Sequence, residues 1–372
     1  MTSILILIAI VMAVPGVLTS LHLTLLTLAA LLYRPPRPAQ VDEVRFLIMI
    51  PAHNEELVLE ATLRAIELDR RPQDRVLVVA DRCTDGTAPI ARSYGAIVLE
   101  RALDDEPGRA ATRQAGLELA RTLEWDAIVM IDADSVIEPG FFAACEQALA
   151  SGAPALQARS EGAHDDRLVA QATVASFAMQ GITIPRGRDR LGLAVRLRGT
   201  GMVLRRDICE RFAFRAPASE DLYYSLDLCL AGYRPRHVER ARLRSENVGS
   251  WRGASAQKRR YEAGRMSAAR EFVRPLLRRH DRASLEAAWF LLSPPYAIAL
   301  ASLLVAALVA WPAGLTPLTV ALLAFAGLLA LDLLVALLLA RAPWRTWVAL
   351  AIAPWYLAWK LVVQAKALGS VV

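Results

Sequence analysis

"AIVMIDADSVIEPGFF", residues 127–142, decides the fold. An apolar run with no polar alternation ends on two carboxylates, Asp132 and Asp134, one residue apart. Runs of this kind fit strands covered on both faces. Three more precede it: "FLIMIP" at 46–51, "VLVVAD" at 76–81 and "AIVLE" at 96–100. Helical patterns separate them. "NEELVLEATLRAIEL" offers Asn54 as an N-cap and places Leu59, Leu63 and Ile66 at helical spacing. "TDGTAPIARSYG" predicts a second helix, capped at Thr84 or Asp85 and stopped by Gly95, and "GRAATRQAGLELARTL" a third. "SVIEPGFF" predicts a further helix start, with Pro139 in its first turn. Strand and helix alternate at βαβ spacing, which argues an α/β fold with a mainly parallel sheet and helices on both faces.

In such a sheet, ligands bind outside the carboxyl ends of the strands. Those ends read "PAHNE", "ADRCTD" and "DAD", which predicts that Asp81, Asp132 and Asp134 meet in one crevice. Their repulsion must be offset, and hard oxygen ligands suit Mg²⁺ or Mn²⁺, which in turn hold a diphosphate. An Asp-x-Asp pair taken alone reads first as a solvated turn or helix cap, and it is the company of the other strand ends that points to a metal.

The chain is 55% hydrophobic, and the excess collects in two blocks. Ile4 to Leu32 contains no Asp, Glu, Lys or Arg, is long enough to span a bilayer, and lacks the basic start of a signal peptide. Arg34 and Arg37 follow it, which places the next domain in the cytoplasm. Further spans are expected at about 286–310 and 318–340. The tail from Pro343 reads as a third C-terminal span or an interfacial helix. Residues 1–33 are thus an anchor, 34–282 a cytosolic domain with an interfacial helix near 255–280, and 283–372 membrane helices. Asp332 is expected near the cytosolic end of its span, pairing with Arg341 or facing another helix. The net charge of +6 suits anionic lipid; no motif for nucleic acid accompanies it. Cys83, Cys145, Cys209 and Cys229 have no CxxC spacing and read as reduced.

Taken in order, "PAHNEE", "VVADRCTDGT", "MIDADS", "SED" and "QKRRY" resemble the membrane-bound family-2 glycosyltransferases of GT-A fold, which include cellulose, chitin and hyaluronan synthases. The resemblance implies roles. The Ala52 backbone and Glu55 meet the nucleoside, and Asp81 reads the base. Arg109 lies near the diphosphate, where relatives carry Lys. Asp132 and Asp134 form the DxD motif, with Asp134 favoured for the metal. Asp221, in "ASED" with Ser219 replacing Thr, is the catalytic base. Gln257, Arg260 and Tyr261 match a QxxRW motif, with Tyr for Trp. Other readings stand beside these. Asp221 caps the helix "DLYYSLDLCLAGY", "QKRRYEAGRMSAAREF" lies on lipid through Tyr261, Ala268, Phe272 and Leu276, His53 packs in its loop, and "RGTGM" is either a tight turn or a point of close approach to an acceptor.

The expected activity is inverting, metal-dependent transfer of a sugar from a nucleotide donor, a UDP-sugar, to a growing polysaccharide or lipid-linked saccharide at the cytoplasmic membrane. A single-addition enzyme acting on a lipid carrier, a non-catalytic nucleotide-binding subunit of an export complex, and a sugar-phosphate nucleotidyltransferase are the alternatives. Sugar, linkage and oligomeric state are not written in the sequence.

Overall fold

The computed structural model describes residues 2–36, 43–162, 168–215, 219–245 and 251–350, together with Trp355 and Val362. Its strands are β1 (Phe46–Ala52), β2 (Arg75–Asp81), β3 (Ile97–Arg101), β4 (Ala127–Met130), β5 (Ser135–Ile137), β6 (Ala155–Gly162), β7 (Met202–Arg205) and β8 (Arg236–Ser245). They form one sheet in the order β3-β2-β1-β4-β7-β6-β8-β5. The first four neighbours are parallel, β7 is antiparallel to both β4 and β6, and β8 is parallel to β6 and antiparallel to β5.

Successive strand residues point to opposite faces, so each apolar run supplies two cores. Ile48, Ile50, Val78 and Val129 pack on one face with Leu63 and Ile66 of α2 (Leu59–Asp69) and Phe141 and Phe142 of α5 (Phe141–Leu149). Leu47, Met49, Leu77, Val79 and Ile128 pack on the other with Leu117 of α4 (Arg109–Ala120) and Tyr224 and Leu228 of α9 (Glu220–Leu230). The remaining helices are α1 (Thr2–Leu31), α3 (Thr87–Ser93), α6 (Leu168–Phe177), α7 (Ile184–Arg190), α8 (Arg206–Arg211), α10 (Trp251–Arg279), α11 (Arg282–Leu292), α12 (Tyr296–Ala310), α13 (Thr316–Leu339) and α14 (Trp344–Ala349). A π-helical stretch, Ala178–Thr183, joins α6 to α7.

Four expectations are corrected. Asn54 does not cap α2. It is left-handed at φ 55°, its side-chain oxygen accepts the Thr84 N–H at 2.8 Å, and the helix begins only at Leu59. The stretch after Asp134 opens a strand instead of a helix. The β-branched pair Val136–Ile137 pairs with β8, Ser135 Oγ meets Ser245 Oγ at 2.9 Å, and Gly140 at φ 84° resets the chain before α5. The expected span at 286–310 is two helices, α11 and α12, bent by 68°. The break falls at Ser293-Pro294-Pro295, where the ring excludes helical backbone for the preceding residue. Finally, the apolar stripe of α10 does not face lipid. Ala268, Phe272 and Leu276 are buried against Tyr223 and Leu226 of α9 and Leu291 of α11.

Two helices are long and apolar enough to cross a membrane, Ile10–Leu31 within α1 and Thr316–Leu339; the bent pair adds a third if it counts as one span. The expected third C-terminal span lies for the most part outside the described residues. Val11, Leu18, Leu25 and Leu28 of α1 and Val320, Leu323, Leu331 and Leu338 of α13 are exposed, while their inner faces pack with α12 through Ala13, Leu303, Ala306 and Leu329. Asp332 is buried and accepts from Thr24 Oγ1 of α1 at 3.0 Å, so it faces a neighbouring helix and not Arg341.

The sheet domain is fastened to these helices. Gly187 of α7 lies against the backbone of Leu26 of α1, where a Cβ would collide with the Leu26 carbonyl. Glu286 of α11 pairs with both Arg188 of α7 and His22 of α1. Tyr33 Oη donates to the His237 carbonyl at 3.4 Å.

Candidate active site

β1, β2 and β4 end side by side, so the loops that follow them share one rim. The rim is held by its own hydrogen bonds. His53 Nδ1 lies 2.6 Å from the Asp81 carbonyl, Glu55 N–H donates to Thr87 Oγ1 at 2.8 Å, and Cys83 Sγ lies 3.5 Å from the Ala52 carbonyl. Asn54, Arg82 and Ser219 all adopt left-handed backbone, at φ 55°, 53° and 60°. Strained non-glycine residues of this kind gather where a site must be shaped. Each of these stands beside a motif residue: Glu55, Asp81 and Glu220–Asp221.

Arg113 ties the two halves of the site together. It projects from α4 one turn after Arg109 and is fully buried. Its guanidinium donates to Glu220 Oε1 at 2.5 Å, to Asp132 Oδ1 at 3.3 Å and to the Gly199 carbonyl at 3.0 Å. The DxD motif, the "SED" motif and the "RGTGM" loop therefore meet on one cation. Arg109 lies 3.9 Å from Asp132 Oδ2 with its side chain largely open to solvent, and Asp132 holds it all the more firmly protonated.

The "RGTGM" loop does more than turn. Asp132 N–H donates to Thr200 Oγ1 at 3.1 Å and Gly201 N–H to the Met130 carbonyl at 2.7 Å, fixing the loop to β4. At the other end, Leu197 N–H donates to Ser225 Oγ at 2.9 Å, and Ser225 Oγ donates to the Asp221 carbonyl at 2.8 Å, fixing it to α9. Gly199, at φ 80°, passes so near that a Cβ there would sit 3.6 Å from Asp221 Oδ2. The positive φ is what calls for glycine here, and it lets the loop turn beside Asp221.

Electrostatics separate the carboxylates. Burial, followed by the Glu220 charge, pushes the Asp221 carboxyl up to about 6, against Arg113 and the Leu222 N–H that donates to it at 2.8 Å. Glu55 is also raised, by burial and then by Asp134 and Asp132, so these three carboxylates share one field. Ser135 Oγ donates to Asp134 Oδ1 at 3.3 Å. Asp81 is different. At the end of β2 it forms ion pairs with Arg101 at 2.5 Å and Arg82 at 3.5 Å. Arg101 of β3 thus meets the charge of Asp81, while Arg113 and Arg109 meet that of Asp132. Among the described residues no three His, Cys, Asp or Glu side chains enclose a metal position. Gln257 and Arg260 of α10 are exposed; Tyr261 is half-buried beneath the Lys258 ammonium, 5.3 Å from its ring centre.

Residues 44–264, more than half of the chain, match the signature of the glycosyltransferase like family 2. The chain belongs to that family. It is a glycosyltransferase, and its mixed α/β architecture with a mostly parallel sheet is like the GT-A fold. Among solved structures it is similar to the mannosyltransferase PcManGT from Pyrobaculum calidifontis in complex with GDP-Man and Mn²⁺, at 19% identity over 90% of this chain and 98% of that one, TM-score 0.54. It is also similar to the glucosyl-3-phosphoglycerate synthase of Mycobacterium tuberculosis, with 21% identity over 60% of this chain and 78% of that one, TM-score 0.45. TarS of S. aureus in complex with UDP-GlcNAc gives 14% identity over 70% of this chain and 71% of that one, TM-score 0.46. These likenesses concern the fold alone. No curated protein matches the chain. Within this family-2 glycosyltransferase, Arg113, Glu220 and Thr200 were not singled out from sequence; the only signal for Arg113 is its place four residues after Arg109 on one helix face.

Proposed function

We propose that this glycosyltransferase moves a sugar, with inversion, from a UDP-sugar to a saccharide or lipid-linked acceptor at the cytoplasmic face of a membrane, residues 34–282 forming the catalytic domain. The observation that carries the reading is the Arg113 bridge from Asp132 to Glu220, the neighbour of Asp221. It joins the donor motif to the acceptor motif.

Glu55 and the Ala52 backbone line the nucleoside end, with Asp81 oriented by Arg101 to read the base. Arg109 and Arg113 set positive charge where the leaving diphosphate gains negative charge. Asp134 and Asp132 fit a hard divalent ion, Mg²⁺ or Mn²⁺, because both are oxygen donors in a field that already raises Glu55. Such an ion, when bound, supplies charge stabilisation to the diphosphate. Asp221 takes the proton of the acceptor hydroxyl as the glycosidic bond forms. Its raised carboxyl suits that task better than an ordinary aspartate would. Tyr261 offers a ring face to a sugar, with Gln257 and Arg260 at its approach.

Purified full-length protein in detergent, given Mn²⁺ and a panel of nucleotide sugars, should release UDP. Asp221→Asn should stop release while UDP binding persists. Binding of nucleotide with no turnover on any donor would favour a non-catalytic subunit of an export complex.

A further inference from the structure

The extended segment ahead of Gly199 carries two arginines that the donor site does not use. Leu197 points into the core beneath the sheet, and Arg196 and Arg198 flank it. The Arg196 guanidinium lies on the Phe290 ring of α11, its carbon 3.2 Å from the ring centre, and Arg198 faces Phe177 of α6 at 5.7 Å. Both side chains are half-buried, yet the Nη1 atom of each is fully enclosed and has no hydrogen-bond partner among the described residues. Enclosing a cationic N–H without an acceptor is costly.

Among the described residues, two acids of α10 and α11 are already engaged. Glu286 serves Arg188 and His22, and Glu262 serves Lys258 and Arg265. Arg265 also caps the end of α11, donating to the carbonyls of Phe290 and Ser293. Burial pulls the Arg198 guanidinium down, and Tyr261 and Asp221 act against this. Burial and the like charge of Arg188 pull Arg196 down to about 9, which leaves it cationic at neutral pH. The place of this pair matters as much as its charge. It lies between the base and the bend where α11 gives way to α12, and Phe177 continues toward a cleft that Gln171, Ile182 and Arg341 line beside the end of α13.

We propose that Arg196 and Arg198 form a binding subsite for the phosphate of the acceptor, so that the acceptor is a phosphorylated molecule entering from the membrane side of Asp221. Paired guanidiniums suit phosphate oxygens because their planar N–H groups match them two at a time. The inference rests on the glycosyltransferase reading above, in which Asp221 faces the acceptor. A phosphorylated lipid and a soluble phosphorylated sugar share this chemistry.

The test uses the full chain in dodecyl maltoside, saturated with UDP and Mn²⁺, and follows tryptophan fluorescence. Dodecyl phosphate, dodecanol and inorganic phosphate are titrated in turn. Dodecyl phosphate should bind at least about tenfold more tightly than dodecanol, and the double variant R196Q/R198Q should lose about that factor while its UDP affinity holds. Inorganic phosphate that competes as well as dodecyl phosphate also supports the subsite and assigns it a soluble acceptor; weak competition assigns a lipid. Equal binding of dodecanol and dodecyl phosphate to the unaltered protein overturns the proposal, and this comparison needs no variant to fold. Loss of UDP affinity in R196Q/R198Q overturns it as well, by giving the pair to the donor. UDP release from nucleotide sugars is measured separately, so a silent enzyme that still binds dodecyl phosphate sinks the transferase reading and not the phosphate site.

Discussion

Arg113 and Glu220, 107 residues apart, form a buried ion pair at 2.5 Å. Neither residue was a candidate from sequence, yet through Arg113 the Asp132 end and the Glu220–Asp221 end of the site are locked together. Arg113→Ala should destabilise the protein by about 3 kcal/mol, since it leaves Glu220 and Asp132 facing each other without their shared cation. Thermal unfolding reads this, and UDP release should fall with it. An unchanged melting temperature would show that the bridge is not what holds the two motifs.

Asp221 with a carboxyl near 6 gives a pH profile with a definite sign. A base must be ionised, so UDP release should rise as pH climbs through about 6 and level off above it. Asp221→Asn should cost roughly a hundredfold to ten-thousandfold in rate. Its stability near pH 7.5 should equal or exceed that of the unaltered protein, because a carboxyl raised above its ordinary value is held ionised at a cost. A plain helix cap would behave in the opposite way and lose stability.

Gly199→Ala tests the loop beside Arg113 and Asp221. The left-handed backbone penalises any side chain by about 1–2 kcal/mol. Its Cβ would meet Arg113 at 3.3 Å and Asp221 at 3.6 Å. Rate should drop further than that stability loss accounts for, measured as UDP release at saturating donor on fully folded protein.

Glu239 of β8 makes an acid-side prediction. Burial pushes its carboxyl up, but hydrogen bonds from Arg186 and His237 and the charge of Arg159 outweigh this and hold it well below the usual carboxylate range. Its stabilisation is complete above the ordinary glutamate range and is lost as pH falls below it. Glu239→Gln should cost about 3 kcal/mol at neutral pH, with the difference from the unaltered protein shrinking at acid pH. Denaturant unfolding at pH 7 and pH 4 checks both halves.

Chelation should abolish UDP release, and Mn²⁺ or Mg²⁺ should restore it. Asp134→Asn should raise the Mn²⁺ concentration needed for half-maximal rate without changing the pH midpoint set by Asp221. If the rate after exhaustive chelation is undiminished, the paired aspartates serve some other end.

How much of this was legible is best judged residue by residue. "FLIMIP" and "VLVVAD" announced β1 and β2 to within a residue or so, because a strand covered on both faces has little choice but continuous apolar chemistry. The strand ends then located the crevice. "SVIEPGFF" misled because Pro139 and Gly140 resemble a helix entry, while the register of Val136 and Ile137 depends on β8, which comes much later in the chain. The break in the 286–310 span was written plainly in Pro294-Pro295, but hydropathy alone joins what backbone geometry divides. That Arg101 meets the charge of Asp81 could not be read from sequence, since it comes from a strand with its own side-chain register. Arg113 was invisible for the same reason: its partners are chosen by tertiary closure, not by local pattern.

The contact between Gly187 and Leu26 has a practical meaning. The first helix is not a tether that can be clipped to liberate a soluble enzyme, because the carbonyl ridge of Leu26 is part of the floor on which α7 rests, and His22 shares the Glu286 carboxylate with Arg188. Amputating it would strip a wall from the house, leaving α7 bare and a carboxylate short of one neighbour.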